Sequence, residues 1–151
     1  MSQHETARIL FELATAPFML MGGLHALASL IDTLRLTFFA PTKPGLRSEM
    51  EVSGIRLREM FPGASGARFS IWRGWLGFNI SHGLGAATFG LTMLILALHD
   101  YGLVQQISAI EPLTIAVSAV YFLLAVRFWF YAPAIGCGLG LACFIAAAAL
   151  S

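Results

Sequence analysis

Four long apolar stretches constrain this chain more than any other feature of its sequence. They run from about Ile9 to Ile31, from Phe69 to Leu98, from Leu113 to Tyr131 and from Ala134 to Leu150. A helix needs about 20 mostly apolar residues to cross the hydrocarbon core of a bilayer. Because backbone polar groups in lipid must be satisfied within the segment, the sequence predicts an all-α integral membrane protein built as a four-transmembrane-helix bundle.

The remainder of the chain is too short and too apolar for a separate soluble domain. Of the 151 residues, 58% are hydrophobic and 11% are charged, whereas about 25% are charged in a typical soluble protein. We therefore expect a single four-span membrane domain over residues 1–151, in contact with the lipid bilayer. No basic patch interleaved with aromatic residues occurs outside the first loop, so nucleic-acid binding is not expected.

Two local patterns refine this topology. Residues 46–61 mix Met, Val, Ile and Leu with Arg and Glu, which predicts a short amphipathic helix on the membrane surface between the first two spans. An ordinary solvated loop is the alternative. Pro133 interrupts the chain after the third span, and we expect it to allow a tight reversal into the fourth span.

The positively charged residues predict an orientation, because cytoplasmic flanks retain Lys and Arg during insertion. Arg127, near the end of the third span, lies on the same side as the first loop. That loop, together with the start of the second span, contains seven of the nine basic residues: Arg35, Lys43, Arg47, Arg56, Arg58, Arg68 and Arg73. The sequence therefore predicts a multi-pass membrane protein with a cytoplasmic first loop and both termini on the non-cytoplasmic side.

Polar side chains inside the first two spans form the most informative pattern. Such side chains are costly in hydrocarbon and need a partner, a cavity or a function. Helical spacing places the members of each of two groups on one face. The groups are His25, Ser29 and Asp32 in the first span, and Trp75, Asn79 and His82 in the second. Since the two histidines lie at similar depths, we expect their imidazoles to face each other.

Arg127 is the predicted counter-charge for Asp32, and this pair would close a polar pocket. In the alternative interpretation, Arg127 extends to lipid phosphates and Asp32 caps the segment that follows the first span. Both histidines would then form hydrogen bonds with neighbouring backbone.

The segment from Trp72 to Gly85 has the pattern W-R-x-W-x-G-F-N-x-S-H-x-L-G. It resembles a motif of a family of small bacterial four-span membrane proteins for which no activity is established. The likeness extends to the His-containing first span, to residues 32–41 and to the end of the third span. The resemblance implies four-span topology, and with it a place in the bacterial inner (cytoplasmic) membrane, but no particular reaction. It also emphasises Trp75, Asn79, Ser81 and His82.

Three functional hypotheses follow. The first is a non-enzymatic membrane component, either an accessory subunit of a larger complex or a homo-oligomer that binds a lipid-like ligand, because small residues favour close helix contacts. The second is an electron carrier with haem b bound between His25 and His82. The third is a membrane-embedded enzyme that acts on lipid or isoprenoid substrates with Asn79 and His82 at its centre. The sequence shows no nucleophile motif, phosphate-binding glycine loop or paired acidic dyad, so any catalytic residues are unknown. We predict no separate metal site, because Cys137 and Cys143 lie six residues apart in one helix and project to different faces.

Overall fold

The computed structural model describes residues 2–35, 38–39, 41–53 and 70–151. Helix accounts for 87% of the described residues, which include no strand. These residues form five helices: α1 (Gln3–Leu34), α2 (Leu46–Val52), α3 (Ile71–Gln106), α4 (Ile110–Phe128) and α5 (Tyr131–Leu150). Four of them, α1, α3, α4 and α5, are long and apolar enough to cross a membrane. The prediction of an all-α, four-span membrane protein is confirmed.

The first helix begins several residues before the predicted apolar stretch. Its first turn is capped by Ser2, whose Oγ accepts a hydrogen bond from the backbone N–H of Glu5 at 3.2 Å. One turn later, Arg8 and Glu12 form an ion pair at 2.7 Å along the helix surface. These local contacts extend α1 into the polar residues before Ile9, which hydropathy alone does not include in the helix.

Helix α3 changes conformation at Asp100, where φ is −161° and ψ is 101°. The Asp100 Oδ1 atom accepts a hydrogen bond from the backbone N–H of Gly102 at 2.8 Å, and the chain then resumes a helix to Gln106. The continuous helix therefore ends next to Leu98, the predicted end of the second span.

The turn between α4 and α5 corrects the predicted role of Pro133. Trp129 and Phe130 have extended backbone, with ψ of −159° and 176°, and they make the reversal. Pro133 instead lies in the first turn of α5, where its missing N–H removes no intrahelical hydrogen bond. The fourth span consequently begins at Tyr131, earlier than the predicted Ala134.

The short helix α2 confirms the first half of the element predicted at 46–61; residues 54–61 lie outside the described residues. It follows Gly45, which has a φ of 82° that glycine adopts without steric cost. After α2, the Ser53 carbonyl accepts a hydrogen bond from the backbone N–H of Ile71 at 2.9 Å. This bond joins the end of α2 to the start of α3.

Contacts divide the chain into two compact units, of which unit one comprises residues 1–23 and 85–151. The parts of the four long helices that lie in this unit pack around aromatic side chains. Phe11 and Phe144 meet edge to face with ring centroids 4.9 Å apart, and Phe18 and Phe89 do so at 5.2 Å. Edge-to-face pairs of this kind stabilise a core beyond the burial of their area.

Unit two comprises residues 24–84 and contains the last turns of α1, all of α2 and the first turns of α3. Its buried residues include four polar ones at 3% exposure or less: Ser29, Asp32, Ser70 and Asn79. A buried polar group must be hydrogen-bonded to be tolerated, so the partners of these side chains show how the unit is organised.

Candidate functional site

His25 on α1 and Asn79 on α3 are joined by a hydrogen bond. The His25 Nε2 atom lies 3.0 Å from the Asn79 Oδ1 atom. On its other side, Asn79 donates from Nδ2 to the backbone carbonyl of Trp75 at 2.7 Å. Because only the amide nitrogen can donate to a carbonyl, the amide oxygen faces His25, and His25 must carry a hydrogen on Nε2. The Asn79 side chain is 1% exposed, so its orientation is fixed by packing as well as by hydrogen bonding.

His82 lies next to this pair. Its ring centroid is 6.0 Å from that of His25, and the two rings meet edge to face at 81°. One helical turn earlier, Phe78 is stacked on His82 with centroids 5.6 Å apart and an interplanar angle of 18°. The prediction that the two imidazoles face each other is confirmed. We call His25, Asn79 and His82 the histidine cluster.

Asp32 organises the chain that follows α1. Its Oδ1 accepts the backbone N–H of Phe38 at 2.9 Å, and its Oδ2 accepts that of Phe39 at 2.6 Å. The Phe39 ring thereby lies with its centroid 5.0 Å from that of His25. Asp32 therefore caps the segment that follows α1, as the alternative interpretation of this residue states. Phe39 was not predicted; its only signal in the sequence is its place just after the buried carboxylate.

The two serine residues assigned to the site bond within their own helices. The Ser29 hydroxyl donates to the His25 carbonyl at 2.8 Å, and the Ser81 hydroxyl donates to the Phe78 carbonyl at 3.0 Å. Such bonds are the usual way for serine to satisfy its hydroxyl in a helix. Trp75 contributes its carbonyl to the network, while its side chain is 42% exposed.

Arg127 belongs to unit one, in the last turn of α4. A cation there interacts favourably with the negative end of the helix dipole. Its guanidinium carbon lies 5.2 Å from the ring centroid of Phe128. The pairing of Arg127 with Asp32 stays a prediction.

The arrangement of the histidine cluster does not fit axial haem ligation as it stands. The His25 Nε2 atom is the one that Asn79 holds at 3.0 Å, and iron could replace that contact only if the hydrogen bond broke. Phe39 and Phe78 also lie against the two imidazoles. Among the described residues, no group of three or more His, Cys, Asp and Glu is placed to hold a metal ion.

Comparison of the chain with protein-family models, with curated proteins and with solved structures finds no match.

Proposed function

We propose that this protein is a non-enzymatic component of the bacterial inner membrane that binds a lipid-like ligand at the histidine cluster. We further propose that it acts as a homo-oligomer or as an accessory subunit of a larger complex. The observation that carries the proposal is the buried Asn79 amide, which is held by two hydrogen bonds so that it orients His25. Polar groups inside a membrane are costly, and a preoriented set of them is a default candidate for a binding site.

The surroundings of the cluster favour an amphipathic ligand. The side chains of Trp75 and Phe78 are 42% and 56% exposed; they lie on the same stretch of α3 as Asn79 and His82. An apolar wall with a few polar groups is the usual composition of a small-molecule site. A ligand could therefore place an apolar part on the aromatic side chains and a polar part at the imidazoles.

The chemistry of the neighbouring polar groups favours binding over catalysis. The Ser29 hydroxyl donates to a carbonyl of its own helix, so it is not poised as a nucleophile. Both oxygens of Asp32 accept backbone hydrogen bonds, so this carboxylate holds the segment after α1 in place. A nucleophile with an adjacent base, the arrangement that covalent catalysis needs, is not formed by these side chains.

The exposure of α4 supports association with other chains. The buried residues of this helix are Thr114, Ser118 and Ala125, so most of its apolar surface is free to contact lipid or another protein. Close helix association in membranes relies on such packing surfaces.

Purification in mild detergent tests the proposal. We expect mass spectrometry of the native protein to show a bound lipid-like molecule, and light scattering to show an oligomer or a complex. The variants His25→Ala and Asn79→Ala should lose the molecule, whereas His99→Ala should retain it. His99 is the matched control because it is an exposed histidine on the same helix α3.

A monomer without a partner or a bound molecule would contradict the proposal. Equal retention of the molecule by all three variants would show that it binds elsewhere. Soret absorption by the purified protein, lost in both His25→Ala and His82→Ala, would instead support the haem hypothesis.

A further inference from the structure

A groove on the surface of unit one follows the first half of α1. Its volume is about 340 Å³, within the usual range for a small-molecule site. Leu94 lines it from α3, and most of the other lining residues recur on α1 at intervals of three or four, which places them on one helix face. They include Ile9, Glu12, Leu13, Ala16, Met19 and Leu20. From the first to the last of these the groove extends about 16 Å along the helix, so its shape suits an extended chain.

The lining of the groove suits a hydrocarbon chain. Ala16 lies between Leu13 and Leu20 on this face and has the smallest side chain of the set, so it leaves space between the two leucines. The Thr15 hydroxyl, which also borders the groove, donates to the carbonyl of Glu12 at 2.7 Å and is not available as a donor to a ligand. An apolar chain would gain dispersion contacts along the whole length of this surface.

Glu12 marks one polar boundary of the first span. No Asp, Glu, Lys or Arg occurs in the 19 residues from 13 to 31, between Glu12 and Asp32. At about 1.5 Å per residue this uncharged interval is about 28 Å long, which matches the thickness of about 30 Å of the hydrocarbon core. The carboxylate of Glu12 therefore lies at the level of the lipid head groups, and the groove leads from there into the hydrocarbon.

The polar end of the groove carries two opposite charges. The Arg8 Nε atom donates to the Glu12 Oε1 atom at 2.7 Å, and the two side chains are 46% and 23% exposed. Within the part of the chain that the structure describes, this is the one hydrogen bond that either side chain makes. Because a guanidinium has five N–H donors and a carboxylate has two acceptor oxygens, Arg8 retains donors for a phosphate and Glu12 retains an acceptor for an ammonium group.

From shape, position and charge together, we propose that this groove binds a bilayer phospholipid with a zwitterionic, ammonium-bearing head group, such as phosphatidylethanolamine. One acyl chain lies along α1 toward Leu20, the phosphate accepts hydrogen bonds from Arg8, and the ammonium group donates to Glu12. An anionic head group would instead place a second negative charge beside Glu12, which is unfavourable. The groove shares no residue with the histidine cluster, so the inference does not rest on the proposed function.

Lipid titration of the purified full chain, followed by native mass spectrometry, tests the inference. The probes are dioleoyl phospholipids that differ only in their head groups. We expect phosphatidylethanolamine to bind more tightly than phosphatidylcholine, because a choline group has no N–H to donate to Glu12. The difference should be about fivefold, the upper end of what a partly exposed ion pair contributes. Phosphatidylglycerol, which is anionic, should bind no more tightly than phosphatidylcholine.

Substitutions at the polar end separate the two charges. Glu12→Gln keeps the size of the side chain, and we expect it to bind phosphatidylethanolamine and phosphatidylcholine equally. Arg8→Gln should weaken both lipids by a similar factor and keep the preference, because both lipids contain the phosphate. Glu5→Gln is the matched control, since Glu5 is an exposed glutamate of α1 that does not line the groove, and it should bind like the wild type.

A substitution within the groove tests the seat of the acyl chain. Ala16→Phe fills the space between the two leucines, and we expect it to weaken all three lipids about tenfold, which corresponds to about 1.4 kcal/mol. Ala142→Phe is the control, because Ala142 is an exposed alanine of another membrane-spanning helix, α5. The unfolding temperature shows whether each variant is folded. Should Ala16→Phe fail to fold, Glu12→Gln decides, since it adds no bulk.

Three results would overturn the inference. They are equal binding of phosphatidylethanolamine and phosphatidylcholine by the wild type, an unchanged preference in Glu12→Gln, and unchanged lipid binding in a folded Ala16→Phe variant. If Ala16→Phe dissociates an oligomer without changing lipid binding, the groove contacts a second copy of the chain and the lipid assignment is wrong. His25→Ala should keep the preference for phosphatidylethanolamine, which distinguishes this site from the histidine cluster.

Discussion

Asp32 is a buried carboxylate that stabilises the chain after α1 by accepting hydrogen bonds from its backbone. It is 3% exposed, and each of its oxygens accepts one backbone N–H of the chain that follows α1. Hydrogen bonds to a charged acceptor are about twice as strong as neutral ones. The carboxylate therefore fixes the turn after α1 and, through it, the ring of Phe39 against His25.

The substitution Asp32→Asn tests this role. Asparagine has one acceptor oxygen where aspartate has two, so one of the N–H groups of Phe38 and Phe39 would lose its partner. We expect the free energy of unfolding to fall by about 1.5–3 kcal/mol, the usual value of a hydrogen bond to a charged group. Thermal unfolding in detergent measures the change, with Glu49→Gln on the exposed surface of α2 as the control.

Equal stability of the two variants would contradict the capping role of Asp32. The predicted pairing with Arg127 can be examined in the same assay. If that pair is dominant, the double variant with Arg at position 32 and Asp at position 127 should recover stability that either single reversal loses. Backbone capping predicts no recovery, because arginine cannot accept a hydrogen bond from an N–H group.

At the scale of elements, two glycines allow the helices of unit one to approach closely. A Cβ atom at Gly90 would lie 2.8 Å from the backbone oxygen of Thr15, and one at Gly140 would lie 2.9 Å from that of Ala14. Backbone oxygens of a helix cannot shift cheaply. Glycine at these two positions therefore sets how closely α3 and α5 pack against α1.

Gly140→Ala should consequently destabilise the protein. The added methyl group would also lie 2.7 Å from the Phe18 ring, which is buried in the core and has little room to move. We expect a loss of about 1–3 kcal/mol, typical of overpacking, as a lower unfolding temperature in detergent. Gly23→Ala on α1 is the control, because nothing lies within 4 Å of a Cβ at that position.

We expect Gly23→Ala to leave the unfolding temperature unchanged or to raise it slightly, because alanine is a better helix former than glycine. A loss in Gly23→Ala as large as that in Gly140→Ala would mean that helix approach does not explain the effect.

The sequence predicts the long elements well because the cost of exposing backbone to lipid fixes their length and type. It predicts their ends less well, because those depend on local contacts. The cap at Ser2 extends α1, and the extended backbone of Trp129 and Phe130, rather than Pro133, turns the chain into α5. Neither the Ser2 cap nor this extended backbone can be predicted from hydropathy.

The histidine cluster could be predicted for a similar reason: helical period places His25 on one face of α1 and Asn79 and His82 on one face of α3. The roles of the other polar residues could not. Whether Ser29 bonds across to another helix or back to its own depends on a rotamer that spacing does not specify. Phe39 lies in a turn after α1, where no periodic pattern applies.

At the scale of the whole molecule, charge is distributed very unevenly along the chain. Seven of the nine basic residues lie between positions 35 and 73. Within this segment, the Arg47 guanidinium carbon lies 5.4 Å from the ring centroid of the buried Trp72, and Arg47 also pairs with Glu51 at 2.9 Å. Near the N-terminus, Arg8 is paired with Glu12, so that end presents little free positive charge.

This asymmetry predicts that residues 35–73 are cytoplasmic and that the turn between α3 and α4 is on the opposite side. Cysteine labelling in intact cells tests the prediction, after Cys137 and Cys143 have been replaced by alanine. Ser48 on α2 and Ser108 in the α3–α4 turn are both exposed and can each be changed to cysteine. A membrane-impermeant maleimide should label Ser108→Cys directly and Ser48→Cys only after the cells are permeabilised.

The reverse labelling pattern would mean that the orientation is opposite to the predicted one. It would place the basic segment, and the turns of α1 and α3 that contain the histidine cluster, in the half of the bilayer away from the cytoplasm, because both adjoin that segment in the chain.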